Sequence, residues 1–188
     1  MNRFVYALIL SLFLVASCAS KPDLPVMSSA PGFSLIERSA REVKSQELAG
    51  QVWIADFVFT SCGGMCPIMT SKMRTLQDKL PSEVRLVSFS VDPENDTPEA
   101  LTAYAKRYNA DPNRWLFLTG KKAELFKLTK EGFKLALDDT GGTLEEPITH
   151  SSRFVLIDKQ GQIRGYYSME EDDELTRIVR DAKSLLKG

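Results

Sequence analysis

Histidine is almost missing from this chain of 188 residues: there is one, His150, beside three cysteines and two tryptophans. Soft-metal or thiol chemistry therefore rests on four side chains, Cys18, Cys62, Cys66 and His150. An excess of charge is missing too. Lys+Arg 24 against Asp+Glu 25 leaves a net charge of −1, with no basic patch or stripe of the kind that marks a nucleic-acid partner. There is no internal repeat and no low-complexity tract. Long apolar runs are scarce: the main one, residues 4–16, falls short of the about 20 residues that span a bilayer comfortably. With 43% hydrophobic residues the chain can bury a full core, and its length suits one domain once a leader is set aside.

What is present is organised around residues 57–73, which read Phe-Val-Phe-Thr-Ser-Cys-Gly-Gly-Met-Cys-Pro-Ile-Met-Thr-Ser-Lys-Met. Residues 52–60, rich in valine, isoleucine and aromatics, predict a buried strand. Pro67 suits a first helical position, and Ile68, Met69, Met73, Leu76 and Leu80 follow at near-helical spacing. Cys62 and Cys66 are thus expected on a strand-to-helix loop at the positive end of a helix dipole. That position lowers thiol pKa values and makes the pair reactive or ready for metal. Gly63 and Gly64 are expected to let the loop curl until both sulfurs converge. Met65, between the cysteines, is a candidate weak thioether contact, whereas Met69 and Met73 read as core packing.

The chain opens with Arg3 and the apolar stretch 4–16, then Ser17 and Cys18. The string Val15-Ala16-Ser17-Cys18 resembles a bacterial lipoprotein signal, with cleavage before Cys18 and lipid on its sulfur; an ordinary secretory signal or an uncleaved anchor is the plainer alternative. This divides the chain into a signal peptide over 1–17, a lipid anchor and flexible tether over 18–32, and a domain over 33–188. The domain is then exported and membrane-anchored, facing the periplasm or cell exterior, where cysteine pairs tend to oxidise. Pro22, Pro25 and Pro31 with several serines predict an extended, mobile tether.

The remaining elements alternate. Residues 33–36 suggest a short strand, 45–49 a helical turn closed by Gly50, and 84–91 a strand. Asp92 opens a turn, and Asp96 or Thr97 caps a helix with Pro98 and Glu99 in its first turn. Leu101, Tyr104, Ala105 and Tyr108 give that helix an apolar face. Residues 115–118 read as a strand, 121–130 as a helix, 133–137 as a strand and 138–147 as a polar loop. Strands 153–157 and 163–167 flank hairpin chemistry at 158–161, and a last helix begins in the acidic run 170–174. Two crossovers followed by a hairpin predict an α/β fold, a central mixed sheet flanked by helices, in a thioredoxin-like arrangement. His150 stands at a strand end beside a glycine loop, where such a sheet gathers its site.

Three stretches in order are similar to the Sco/SenC family: residues 59–67 around the cysteines, 90–98 (Ser-Val-Asp-Pro-Glu-Asn-Asp-Thr-Pro), and His150-Ser151. The resemblance runs from about residue 31 to the C-terminus. It implies a membrane-tethered copper chaperone whose ligands are Cys62, Cys66 and His150. The implied partners are the cytochrome c oxidase subunit carrying the dinuclear copper centre, other copper chaperones and thiol reductants. Asp92 and Asp96, in the second motif, become candidates for turn and cap roles or for an influence on the copper site. One departure stands out: family members often carry an acidic residue just before the histidine, and here that position is Thr149. Two thiolates and one imidazole suit Cu(I), and hold Cu(II) with an added ligand. A closed zinc site would normally want a fourth protein ligand, and a catalytic Cys2His zinc site with water would want a general base, of which none is obvious nearby. Three function classes follow: a metal-transfer protein rather than an enzyme, an extracytoplasmic thiol–disulfide oxidoreductase, and a secreted domain with a structural Cys62–Cys66 link. Against the second stands the Cys-x-x-x-Cys spacing, and against the third the small loop-closure entropy of so short a ring.

Overall fold

The computed structural model describes residues 24–138, 149–171 and 173–187. Cys18, the signal-like segment, tether residues 18–23 and residues 139–148, which hold all of the expected polar loop but Asp138, lie outside the described residues. In chain order the strands are β1 (Ser28–Ser29), β2 (Ser34–Glu37), β3 (Glu42–Lys44), β4 (Trp53–Val58), β5 (Arg85–Ser90), β6 (Trp115–Thr119), β7 (Leu137–Asp138), β8 (Thr149–His150), β9 (Arg153–Ile157) and β10 (Gln162–Ser168). The α-helices are α1 (Met65–Lys79), α2 (Pro98–Arg107), α3 (Lys122–Lys127) and α4 (Glu174–Leu186).

All six residues of β4 are buried, as a central strand covered on both faces requires. Around it forms a sheet in the order β1-β10-β9-β4-β5-β6-β2-β3. The β4–β5 and β5–β6 pairs are parallel and the others antiparallel. β7 and β8 form a separate pair. Right-handed crossovers through α1 and α2 between successive neighbours put both helices on one face. There Tyr104 of α2 meets Phe117, their centroids 6.3 Å apart. On the opposite face Phe57 stacks on Phe89 at 5.3 Å, covered by Phe33 and Phe133. This is the thioredoxin-like mixed sheet expected. Its parallel strands end together, so the loops after β4 and β5 share one edge.

Several boundaries differ from expectation for identifiable reasons. α1 begins two residues before Pro67, which occupies its third position; the first four helical N–H groups have no intrahelical partner, so proline costs nothing there. Thr97, not Asp96, caps α2, its Oγ1 accepting from the Ala100 N–H at 3.3 Å. Residues 133–137 are not a strand. Phe133, Leu135 and Leu137 are buried alternately, but Lys134 sits at φ 55° and pairing is confined to β7. Residues 24–30, expected within a mobile tether, are extended but docked. Met27 and Ala30 donate to the Ile163 and Gly161 carbonyls at 2.9 and 2.8 Å, and the Arg164 guanidinium donates to the Leu24 and Pro25 carbonyls. Asp158 holds that arginine at 2.7 Å while its other oxygen accepts from the Gln160 and Gln162 N–H groups across the hairpin turn.

Candidate metal and redox site

The chain leaves β4 through Thr60, Ser61 and Cys62 and re-enters regular structure at Met65. Cys62 is held by its own N–H donating to the Phe59 carbonyl at 3.4 Å. Cys66 is the second residue of α1 and its N–H donates to Cys62 Sγ at 3.4 Å. The pair is therefore split between loop and helix, not confined to the loop. The helix N-terminus has no side-chain cap, and the sulfur of Cys62 accepts one of its backbone donors. No disulfide joins the two cysteines. Gly63 and Gly64 do not adopt left-handed backbone, and a Cβ at Gly63 would meet nothing within 4 Å; Gly63 is not demanded by a tight curl.

Cys62 is 7% exposed and Cys66 fully buried. The expected lowering of both thiol pKa values fails at Cys66. Its hydrogen bond to Cys62 and, next, its burial push the thiol far above the ordinary range, with the nearby charges of Cys62 and Asp56 adding to the shift. Local helix polarity is outweighed by the loss of water and by a proton shared with a neighbouring sulfur. Iodoacetamide at neutral pH should accordingly modify Cys62 on the order of a hundredfold faster than Cys66 in the reduced protein. Peptide mapping after a timed quench measures the ratio, and equal labelling would refute the asymmetry.

Two polar clusters hold this loop. Asp96, fully buried, accepts from the Thr60 N–H at 3.1 Å, the Thr60 hydroxyl at 2.6 Å and the Ser90 hydroxyl at 2.6 Å. It ties the end of β4 to the end of β5 behind the cysteines, and burial raises its pKa against those hydrogen bonds. On the helix side the Thr70 hydroxyl donates to the Cys66 carbonyl at 2.9 Å, which leaves the Tyr104 hydroxyl as donor to Thr70 Oγ1 at 2.7 Å. Burial raises the Tyr104 pKa, so this chain stays protonated. Asp92 organises the turn: its carbonyl accepts from the Asn95 and Asp96 N–H groups and its Oδ2 from Asn95 Nδ2 at 2.8 Å. Met65 is partly buried against the core, and Met69 and Met73 are wholly inside it.

His150 comes to the same end of the sheet. β9 runs antiparallel to β4 with Val155 opposite Ala55, so residues ahead of Arg153 lie toward the end where β4 delivers Cys62. The backbone of His150 pairs with Leu137 in the β7–β8 ribbon, and Ser151 donates to the Ala136 carbonyl at 3.0 Å. One participant was passed over in the sequence: Asp56, fully buried in β4, takes the Ser88 hydroxyl at 2.6 Å. Ser88 Oγ in turn accepts from Trp115 Nε1 at 2.9 Å. A carboxylate in the middle of an apolar strand was the signal. A cavity of about 860 Å³ lies elsewhere, between β2 and the α3 region.

A thioredoxin-like sheet with a reduced cysteine pair at its strand ends defines the class. Residues 25–187 match the SCO1/SenC family model, and the chain belongs to that family. Three solved structures show how close the likeness is. A SCO1/SenC family lipoprotein from Bacillus anthracis is 33% identical at a TM-score of 0.77, covering 86% of this chain and 97% of that one. BsSco, described as a member of the Sco family of cytochrome c oxidase assembly proteins in which a disulfide switch was identified, is 34% identical at a TM-score of 0.75, covering 86% and 95%. ScoI from Arabidopsis thaliana with copper bound is 26% identical at a TM-score of 0.71, covering 84% and 99%.

Proposed function

We propose that this protein is an exported, lipid-anchored copper carrier. It delivers copper to the dinuclear centre of cytochrome c oxidase, or prepares the cysteines of that centre. The observation that carries the reading is the pair of hydrogen-bonded sulfurs, Cys62 and Cys66, at the sheet end toward which the His150 backbone also leads. Two adjacent soft donors plus one imidazole are a donor set for copper as cargo. Cys62, Cys66 and His150 would hold it, and Thr60–Asp96–Ser90 would keep the loop in place. Relatives described as copper-bound and as oxidase assembly proteins support the cargo and its destination, and a related lipoprotein supports the Cys18 anchor. Among the described residues no helix is long and apolar enough to cross a membrane.

A second reading has its own support. The same adjacent dithiol can close to a disulfide, and a disulfide switch was identified in BsSco. Oxidation consumes both thiol donors, so metal loading requires the reduced form and the two activities exclude each other at any moment. Metal analysis of the reduced protein separates the readings. One tightly held copper per chain, absent after oxidation, is expected; a reduced protein that retains no copper through desalting would leave the oxidoreductase reading in its place.

A further inference from the structure

We propose that Tyr104, acting through Thr70, is a positioning residue for Cys66: it locks the helix-borne sulfur in place so that the loop-borne Cys62 can close onto it. The proposal rests on the dithiol–disulfide chemistry proposed above and adds the residues that set its equilibrium.

The two cysteines are held unequally. Cys62 lies in the loop between β4 and α1, and Cys66 lies in the first turn of α1. A helical carbonyl accepts from the N–H four residues on. The Cys66 carbonyl takes a second donor, the Thr70 hydroxyl at 2.9 Å. A helical threonine divides between two χ1 wells, and its hydroxyl proton can turn to any acceptor in reach. Tyr104, from α2, removes that freedom. Its hydroxyl donates to Thr70 Oγ1 at 2.7 Å, which commits the Thr70 proton to the Cys66 carbonyl. Both side chains are buried, so bulk water does not compete for either hydroxyl. The Tyr104 ring is itself packed in place. Phe117 lies at 6.3 Å and Tyr108 at 5.0 Å between centroids, and the Arg107 guanidinium sits 4.9 Å over its face. Cys66 is thereby held from two helices.

What this does for the pair follows from effective concentration. The equilibrium of a dithiol with glutathione measures how well one sulfur is presented to the other. Folding has already fixed Cys66, so only the loop must move to close the bond. Freeing Cys66 lowers its effective concentration at Cys62 and favours the dithiol.

The test equilibrates the full chain, reduced and metal-free, with glutathione buffers. The Cys62 thiolate attacks one sulfur of glutathione disulfide, that S–S bond breaks, and a glutathione thiolate leaves with the electron pair. Cys66, its proton passing to solvent, then attacks Cys62 Sγ, and the second glutathione leaves. The protein dithiol is oxidised by two electrons and glutathione disulfide is reduced to two thiols.

Tyr104→Phe keeps the ring and removes its hydroxyl, and Thr70→Val keeps the shape and removes the donor to Cys66. Each should lower the equilibrium constant for disulfide formation about tenfold, which raises the reduction potential by about 30 mV. The double variant should go no lower than Thr70→Val alone, because the two residues act in one chain of bonds. Thr70→Ser keeps the hydroxyl and should stay within about twofold of wild type. Tyr167→Phe serves as the comparison for stability alone. It removes a buried hydroxyl that donates to Asp181 at 2.8 Å, on β10, two strands from β4, and should leave the constant unchanged. An unchanged constant in either Tyr104→Phe or Thr70→Val, a shift toward the disulfide, or an equal loss in Tyr167→Phe would overturn the proposal. A wild type whose cysteines never equilibrate with glutathione would overturn the dithiol chemistry and this proposal together. Copper content of the wild type is measured separately, so failure of the cargo reading is told apart from both.

Discussion

His150→Ala should abolish the Cu(II)–thiolate absorption of the copper-loaded protein while leaving the dithiol–disulfide couple largely intact. Disulfide exchange at Cys62 and Cys66 needs an attacking and a leaving sulfur, both held by the β4–α1 loop and its hydrogen bonds. A third donor from β8 plays no part in it. Copper is different, since two thiolates leave Cu(II) short of donors. Losing a hydrogen-bond partner of a ligand already costs roughly 10–100-fold in metal affinity, and losing a ligand should cost more. The fold should survive, because the β7–β8 pairing of His150 runs through its backbone, which alanine preserves. Absorption spectra of the loaded variant, a competition titration for copper and a glutathione-buffered redox titration give the three readouts. An unchanged copper spectrum in His150→Ala would remove the imidazole from the ligand set and favour the oxidoreductase reading.

How much of this could be seen in the residues depends on the range of the forces involved. The β4–loop–α1 unit was legible because each piece is marked locally: an apolar β-rich run, paired cysteines, then helical spacing. The start of α1 was not, since Gly64 caps it without a side chain and leaves nothing in the sequence to read. Residues 133–137 mislead in the opposite way. Phe133, Leu135 and Leu137 alternate inward as a strand would, yet Phe133 packs on the Phe57–Phe89 face and only Leu137 joins a ladder, opposite His150. The docking of residues 24–30 depends on Arg164, some 140 positions away. The thiol reading failed at Cys66 for a related reason: helix polarity can be read from neighbours in sequence, but burial and the shared proton with Cys62 appear only once the sheet is packed. Likewise Asp96 looks like a helix cap in its own segment, and its partners Thr60 and Ser90 are supplied by the ends of two other elements.

That carboxylate gives the second large effect. Asp96→Ala should cost about 2–4 kcal/mol, because it leaves the Thr60 N–H and two hydroxyls without their acceptor in a dry site. For a domain of this size the midpoint of thermal unfolding should fall by roughly 5–15 °C. Asp96→Asn should cost less, since its amide oxygen keeps an acceptor for Thr60 and the Ser90 hydroxyl can turn to accept from the amide nitrogen. The two carboxyl-free variants also expose a pH dependence. Burial raises the folded pKa of Asp96 above its unfolded value, so the native state binds its proton more tightly than the unfolded chain does. Its stabilising contribution is therefore complete below about pH 4, the unfolded range for aspartate, and declines as pH rises through the raised folded value. The advantage of wild type over Asp96→Asn should shrink accordingly between pH 4 and neutrality, as read from denaturant unfolding at each pH. If the advantage instead grew with pH, the hydrogen bonds from Thr60 and Ser90 would outweigh burial, and Asp96 would be a carboxylate the fold prefers ionised.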